Sequence, residues 1–292
     1  MKTVRVGSRD SLLAVAQAEM VIARIKRFDP EIQTELVTMK TTGDIILDKP
    51  LYEVGGKGLF VKELDEALRS GRADITVHSY KDMPMEDDPE LPVVAVSKRE
   101  DPRDALILPA DASPDEEIKV IGCSSKRRIA QVLEIFPNAR IESLRGNVST
   151  RLSKLDRRLY SAAILAGAGL IRLGLSHRAS RFFSPEEMIP SACQGIIAVQ
   201  ARAGEDAGFL ELFDDADSRD AAAAERGFVR ALEGGCTSPV AVFAEIHGRE
   251  IHIRGLYIDE DTGAMYRGTV SGSRDDARKL GERLALELKT GR

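Results

Sequence analysis

Two side chains in this sequence have types and settings suited to chemistry on a small molecule: the carboxylate of Asp82 and the thiol of Cys236. Asp82 lies in Ala-Asp-Ile-Thr-Val-His-Ser-Tyr-Lys-Asp-Met-Pro, residues 73–84. Ile75, Thr76 and Val77 are β-branched and read as a short buried strand. His78 to Asp82 follow as polar or aromatic residues, and Pro84 closes the segment. A strand end aims such side chains and the following loop exposes them. An isolated Lys-Asp pair reads as a solvated turn. At the end of a buried strand, Asp82 reads equally as a surface acid or as a general acid or base, and a lone cleft carboxylate among many arginines could handle the cations or protons that they cannot. Cys236 follows Gly234-Gly235 and precedes Pro239. A free cysteine is ordinarily a small buried hydrophobe, whereas this glycine-loosened loop suits a thiolate able to form a covalent bond.

The arginines form the second constellation. Of the 42 basic residues, 29 are arginine, although the net charge is −5. Arg278 and Arg283 fall on the polar side of the last helical pattern and read as solvated. Arg9, Arg127, Arg128, Arg145, Arg151 and Arg172 instead follow strand ends. Guanidinium forks grip carboxylates and phosphates in pairs of hydrogen bonds. Several of them in one cleft imply a ligand with many carboxylates or phosphates.

The composition narrows the setting. The acidic balance makes nucleic acid a poor default partner. No apolar run approaches the ~18–20 residues of a membrane span, and the N-terminal residues carry no signal-peptide pattern. The 3 cysteines are far apart and odd in number, which argues against a disulfide framework or zinc cluster and fits a reducing cytosol. Cys123 and Cys193 read as structural. The histidines have no metal-ligand spacing, and His247 and His252 read as solvated.

The elements that must position these residues alternate between strand and helix. Strands are expected over 3–7, 33–39, 75–77 and 92–97, with helices over 12–28, where Ser11 is the N-cap, and across Phe60 to Leu68. Residues 41–58 form a long loop whose Gly-Gly-Lys-Gly is no nucleotide P-loop. Residues 98–104 read as a crossing into a second unit with strands over 105–108, 118–122, 139–143 and 162–166. Its helices carry Arg127, Arg128, Arg151 and Arg172. The chain then returns through the loop 190–195 and a strand at 196–201. A helix over 218–233, three strands near 240–246, 250–258 and 264–271, and a last helix with Ala277 to Leu288 complete it. Alternation of this kind implies parallel sheets covered by helices, with the ligand crevice beyond the strands' carboxyl ends. The expected fold is α/β: two doubly wound domains of periplasmic-binding-protein type around a cleft, plus a small C-terminal α+β domain with a three-stranded antiparallel sheet. The domains are placed at 1–97 with 196–215, at 98–195, and at 216–292.

The motifs Gly-Ser-Arg-Asp-Ser (7–11), Val-Gly-Gly-Lys-Gly-Leu-Phe-Val-Lys-Glu-Leu (54–64), the 73–84 stretch, Arg-Glu-Asp-Pro-Arg-Asp-Ala (99–105), Ser-Leu-Arg-Gly-Asn-Val (143–148), Gln-Gly (194–195) and Leu-Glu-Gly-Gly-Cys (232–236) recur in this order. In them the chain resembles the porphobilinogen deaminase, or hydroxymethylbilane synthase, family over nearly its whole length. The resemblance implies condensation of four porphobilinogen molecules into hydroxymethylbilane with loss of ammonia. It implies a dipyrromethane cofactor held by Cys236 through a thioether. Asp82 would assist departure of the amine and stabilise the resulting azafulvene cation and the pyrrole nitrogens. Ser79, Lys81, Asp82, Ser125, Arg127, Arg128, Arg145 and Gly146 would contact the cofactor. Arg9, Ser11, Lys57, Phe60, Arg145, Arg151, Arg172 and Gln194 would contact substrate. No metal is implied. A cytoplasmic monomer is expected, with porphobilinogen as substrate, a uroporphyrinogen-III synthase receiving the product, and no nucleic-acid or membrane partner. The chain departs from the usual pattern at Thr42, Glu53, Cys123 and Cys193. Two other readings stand beside this one: a hinged anion-binding protein without chemistry, because the layout resembles periplasmic solute receptors, and an enzyme acting on phosphates.

Overall fold

The computed structural model describes residues 3–45, 60–113, 116–234 and 239–291. The chain opens with strand β1 (Thr3–Arg9), helix α1 (Leu12–Phe28) and strand β2 (Gln33–Met39). Ser11 caps α1 as expected, its Oγ accepting from the Ala14 amide at 3.4 Å. Ala14, Gln17, Ala18, Val21 and Ile25 form the buried face of α1. A helical turn α2 (Thr42–Ile45) begins the segment expected to be all loop. Then come α3 (Lys62–Arg69), β3 (Ile75–Ser79) and β4 (Val93–Val96).

The second stretch runs β5 (Asp104–Ile107), β6 (Val120–Gly122), α4 (Lys126–Ile135), β7 (Arg140–Glu142), α5 (Val148–Asp156), β8 (Ala162–Ala166), α6 (Gly167–Arg172) and β9 (Arg181–Phe182). Strand β10 (Ile197–Ala201) follows, then α7 (Ala216–Ala231), β11 (Val240–His247), β12 (Glu250–Ile258), β13 (Met265–Ser273) and α8 (Ala277–Lys289).

Three sheets result, in the orders β2-β1-β3-β10-β4, β7-β6-β8-β5-β9 and β11-β12-β13. The first two share one plan. Each has an interior strand, one in from an edge, that the chain enters on crossing from the other sheet, β10 in one and β5 in the other. Both run antiparallel to their neighbours, which corrects the expectation of parallel sheets. A parallel neighbour needs a crossover that brings the chain back to the same end of the sheet. Strands β5 and β10 come directly from the other sheet and enter from the opposite end. They are buried along their whole length.

Strand β3 is longer than its β-branched run. His78 and Ser79 continue the ladder opposite Ala198 and Ile197, because β10 offers five residues of backbone to pair with. The polar corner therefore begins at Tyr80, not at His78. In the third unit, α7 and α8 cover one face of the antiparallel sheet around Phe228, Val242, Ile253 and Leu284. The helices cross so closely that a Cβ on Gly281 would lie 2.0 Å from the Ala224 carbonyl oxygen.

Candidate active site

The carboxyl ends of the first two sheets face one cleft. From the first sheet come Arg9, the last residue of β1, Ser79, the last of β3, and a one-turn 3-10 helix, Tyr80–Asp82. The main compartment, about 790 Å³, is lined by Arg9, Ser11, Phe60, Ser79, Lys81 and Asp82 on that side. Arg128, Arg145, Gly146, Arg151, Arg172 and Gln194 line the other side. A smaller compartment of about 210 Å³ shares Lys81, Asp82, Arg128, Arg145, Arg151 and Gln194. It adds Ser125 and Arg127, and it reaches Val229 and Val240, which lie on either side of Cys236 in sequence. Every expected site residue among the described ones thus lies in one continuous cleft. Lys57 and Cys236 lie outside the described residues, as does Glu53.

The cations are held in different ways. Arg9 stacks over the Phe60 ring at 4.3 Å. Arg127 donates to Asp104 at 2.7 Å and to the Ile189 carbonyl at 2.8 Å. Arg128 meets the other Asp104 oxygen at 2.8 Å and donates to the Ile164 carbonyl. Arg151 donates through Nε to the Gly146 carbonyl at 2.7 Å, a contact made possible because Gly146 has φ +112°. Arg172 donates to the Gly195 carbonyl at 2.6 Å, and its buried Nε has no hydrogen-bond partner among the described residues. Among the described residues no carboxylate forms an ion pair with Arg151 or Arg172. Burial lowers both to about 10, which leaves them charged at neutral pH but poorly solvated. Burial likewise lowers Lys81 to about 8, against the pull of Asp82.

This donor set fits a group with four carboxylates. Desolvated cations that no carboxylate contacts directly gain most from an incoming anion. The buried Arg172 nitrogen is an unused donor of the same kind. Helix α4, capped by Ser125, also opens toward the cleft and favours anions at its first turn.

Several polar residues here were not singled out as site residues from sequence. Asp104 is fully buried and binds Arg127, Arg128 and the Gln194 amide nitrogen, the last at 2.9 Å. It was visible only as the end of the 99–105 motif, at a place read as a linker. Gln17 exchanges hydrogen bonds with Ser79 at 3.0 and 3.1 Å. Its signal was a polar residue on the apolar face of α1. Asp10 lines the main compartment too, so Asp82 is not the lone cleft carboxylate expected. Two departures also find an explanation. Thr42 turns its amide and hydroxyl onto Glu63 at 2.9 and 2.6 Å. Cys193 holds φ +59° while its amide donates to buried Glu225 at 2.6 Å. Arg278 and Arg283 pair with Glu282 and Glu287 on the outer face of α8, as their exposure led one to expect.

A cleft of desolvated cations with Asp82 and Asp10 in its lining, between two doubly wound units, defines a protein that takes up a polycarboxylated ligand and can act on it. Family models agree. "Porphobilinogen deaminase, dipyromethane cofactor binding domain" matches residues 4–209, and "Porphobilinogen deaminase, C-terminal domain" matches residues 220–290. The porphobilinogen deaminase of Ruminiclostridium cellulolyticum is 56% identical over 292 residues, covering 100% of this chain and 99% of the relative. That of Acetivibrio thermocellus is 56% identical over 288 residues, covering 99% and 98%. Among solved structures, the LysR-family regulator CbnR is similar at 10% identity and a TM-score of 0.44, over 73% of this chain and 67% of that one. The chain belongs to the porphobilinogen deaminase family. It is a transferase of tetrapyrrole biosynthesis that uses a dipyrromethane cofactor and takes porphobilinogen as substrate to form hydroxymethylbilane.

Proposed function

We propose that Cys236 holds the dipyrromethane through a thioether and that Asp82 is the catalytic carboxylate. The supporting observation is the cleft itself: Lys81, Arg128, Arg145 and Arg151 line both compartments together with Asp82. Each porphobilinogen carries two carboxylates, which the guanidinium groups bind and orient. When bound, the dipyrromethane supplies the pyrrole carbon onto which the chain is built. Asp82 faces the substrate carbon where positive charge develops as ammonia leaves. A fixed carboxylate in a partly water-excluded site stabilises that charge without reorganising. Arg127, Arg128 and Ser125, in the smaller compartment beside Val229 and Val240, suit the cofactor carboxylates. Arg9, Phe60, Arg151 and Arg172, in the larger one, suit the substrate and the growing chain, together with Lys57.

The domain division at 1–97 with 196–215, 98–195 and 216–292 belongs to the same reading. So do a monomeric state, a cytoplasmic setting, and transfer of product to a uroporphyrinogen-III synthase. No helix among the described residues is long and apolar enough to cross a membrane, which is compatible with that setting. The deciding experiment is intact-mass spectrometry of denatured protein made in cells that produce porphobilinogen. Wild type should be heavier than its sequence by two porphobilinogen units less two ammonias. Cys123→Ala and Cys193→Ala should keep that mass, and Cys236→Ala should lose it with activity. An adduct surviving in Cys236→Ala refutes the attachment site.

A further inference from the structure

Asp104 makes more contacts with the cleft machinery than its position behind the cleft wall suggests. Its two oxygens serve three partners, two on helix α4 and one in the loop before β10. Oδ2 accepts from Arg127 at 2.7 Å, and Oδ1 accepts from Arg128 at 2.8 Å and from Gln194 Nε2 at 2.9 Å. Gln194 is itself fully buried. Its Nε2 also donates to the Pro102 carbonyl at 2.6 Å, and its Oε1 accepts from Lys81 Nζ at 3.2 Å. The chain of contacts therefore runs from α4 and β5, through the loop before β10, to the residue next to Asp82. It spans both sheets.

We infer that Asp104 is a positioning residue for the reaction: through Gln194 it fixes Lys81 beside Asp82, and it holds Arg127 and Arg128 in place so that their charge does not displace that lysine. The inference rests on the deaminase reading and deepens it. The charged groups around Lys81 are Asp82, Arg128, Asp104 and Arg127. Two of them attract the ammonium and two repel it. Neutralising Asp104 removes one attraction and uncovers both repulsions, so Lys81 loses its proton at lower pH. Asp104 itself stays ionised: burial opposes its charge, but Arg127, Arg128 and Gln194 outweigh burial and hold it well below the usual carboxylate range.

The test uses holoenzyme, with kcat and KM measured from pH 6 to 9 for wild type, Asp104→Asn, Asp104→Glu and Gln194→Leu. Asp104→Asn should lower kcat by between about ten- and a hundredfold, the scale of a misplaced reacting group. Its alkaline limb should move to lower pH. Asp104→Glu, which restores the charge, should move the limb back toward wild type. Gln194→Leu should lower kcat while keeping the cofactor mass. A limb unmoved in Asp104→Asn, whatever the loss of kcat, reduces Asp104 to a packing role and overturns the inference. If Asp104→Asn does not fold, wild-type kcat in Gln194→Leu overturns it equally. Failure of the underlying reading shows separately, as wild-type protein with neither adduct nor ammonia release, and takes this inference with it.

Discussion

Two residues of the same short strand and turn carry opposite demands. Asp82 must stay open to the cleft, and His78 must be shut away from it. For Asp82→Asn the fold should persist, since Asp82 lines the cleft and is not part of a buried core. Turnover should fall by about 10²–10³, the usual cost of removing one fixed electrostatic partner from a transition state. Single-turnover release of ammonia measures it, and near wild-type rates would remove Asp82 from the mechanism. His78 is buried, contacts Thr76 Oγ1 at 3.0 Å, and is lowered to about 3 by burial and then by Arg9. Its ordinary value is 6.5. Between those values the unfolded chain binds a proton that the folded chain does not, so stability is lost as pH falls from 6.5 toward 3. The slope from this group is about 1.4 kcal/mol per pH unit. Asp65, raised to about 6 by burial, runs the other way and loses stability as pH rises through its window. Urea unfolding of wild type and His78→Gln at pH 7 and pH 5 separates the two; equal pH dependence would show that His78 is protonated in the folded state. Asp82 was legible because a reactive type stood after a β-branched run. His78 was placed in the exposed corner because nothing in its own neighbourhood announces β10, which lies more than a hundred positions later and buries it.

At the scale of elements, periodicity located nearly every helix and strand, because each buries one face or both against a neighbour. Helix α1 and strand β2 fall where their patterns end, at Asp29 before Pro30 and at Met39. Direction was not legible. The strands β5 and β10 look like any buried strand, and only their three-dimensional entry point makes them antiparallel. Close packing was legible only as unexplained glycine. Gly281 sits inside a helix, where glycine is unfavourable by about 1 kcal/mol relative to alanine. On helix propensity alone Gly281→Ala should therefore stabilise. The added methyl would lie 2.0 Å from the Ala224 carbonyl oxygen, and both partners are backbone, which has no rotamer to escape by. Overpacking of this kind costs about 1–3 kcal/mol. The expected outcome is a net loss of stability, read as a lower melting temperature, with the cofactor mass unchanged. A melting temperature at or above wild type would mean that α7 and α8 can separate without penalty.

Across the whole molecule, the three units meet at one buried carboxylate. Glu225 on α7 is fully buried and accepts from Arg99 in the first chain crossing at 2.8 Å. It also accepts from the Cys193 amide in the second crossing at 2.6 Å and from the Ala244 amide in β11 at 2.8 Å. One side chain thus ties the last helical unit to both segments that link the two large sheets, and it holds the left-handed backbone at Cys193. Any reorientation of the two sheets must pass through those segments, both of which Glu225 contacts. Burial raises its carboxyl above the ordinary value, against Arg99 and the two amides. The charge itself is therefore an expense, and the value of Glu225 lies in its acceptor oxygens. This leads to an ordering. Glu225→Ala leaves two buried amides without an acceptor, each costing about 1–3 kcal/mol, and strands the part-buried Arg99 guanidinium, so it should lose the most stability. Glu225→Gln keeps one acceptor oxygen in place and removes a desolvated charge, so it should fall between Ala and wild type. Urea midpoints for the three proteins, with the cofactor mass checked in each, give the ordering directly. If Gln loses as much as Ala, the ion pair with Arg99 holds the crossings together and the acceptors do not. If neither loses stability, the hinge geometry is set elsewhere.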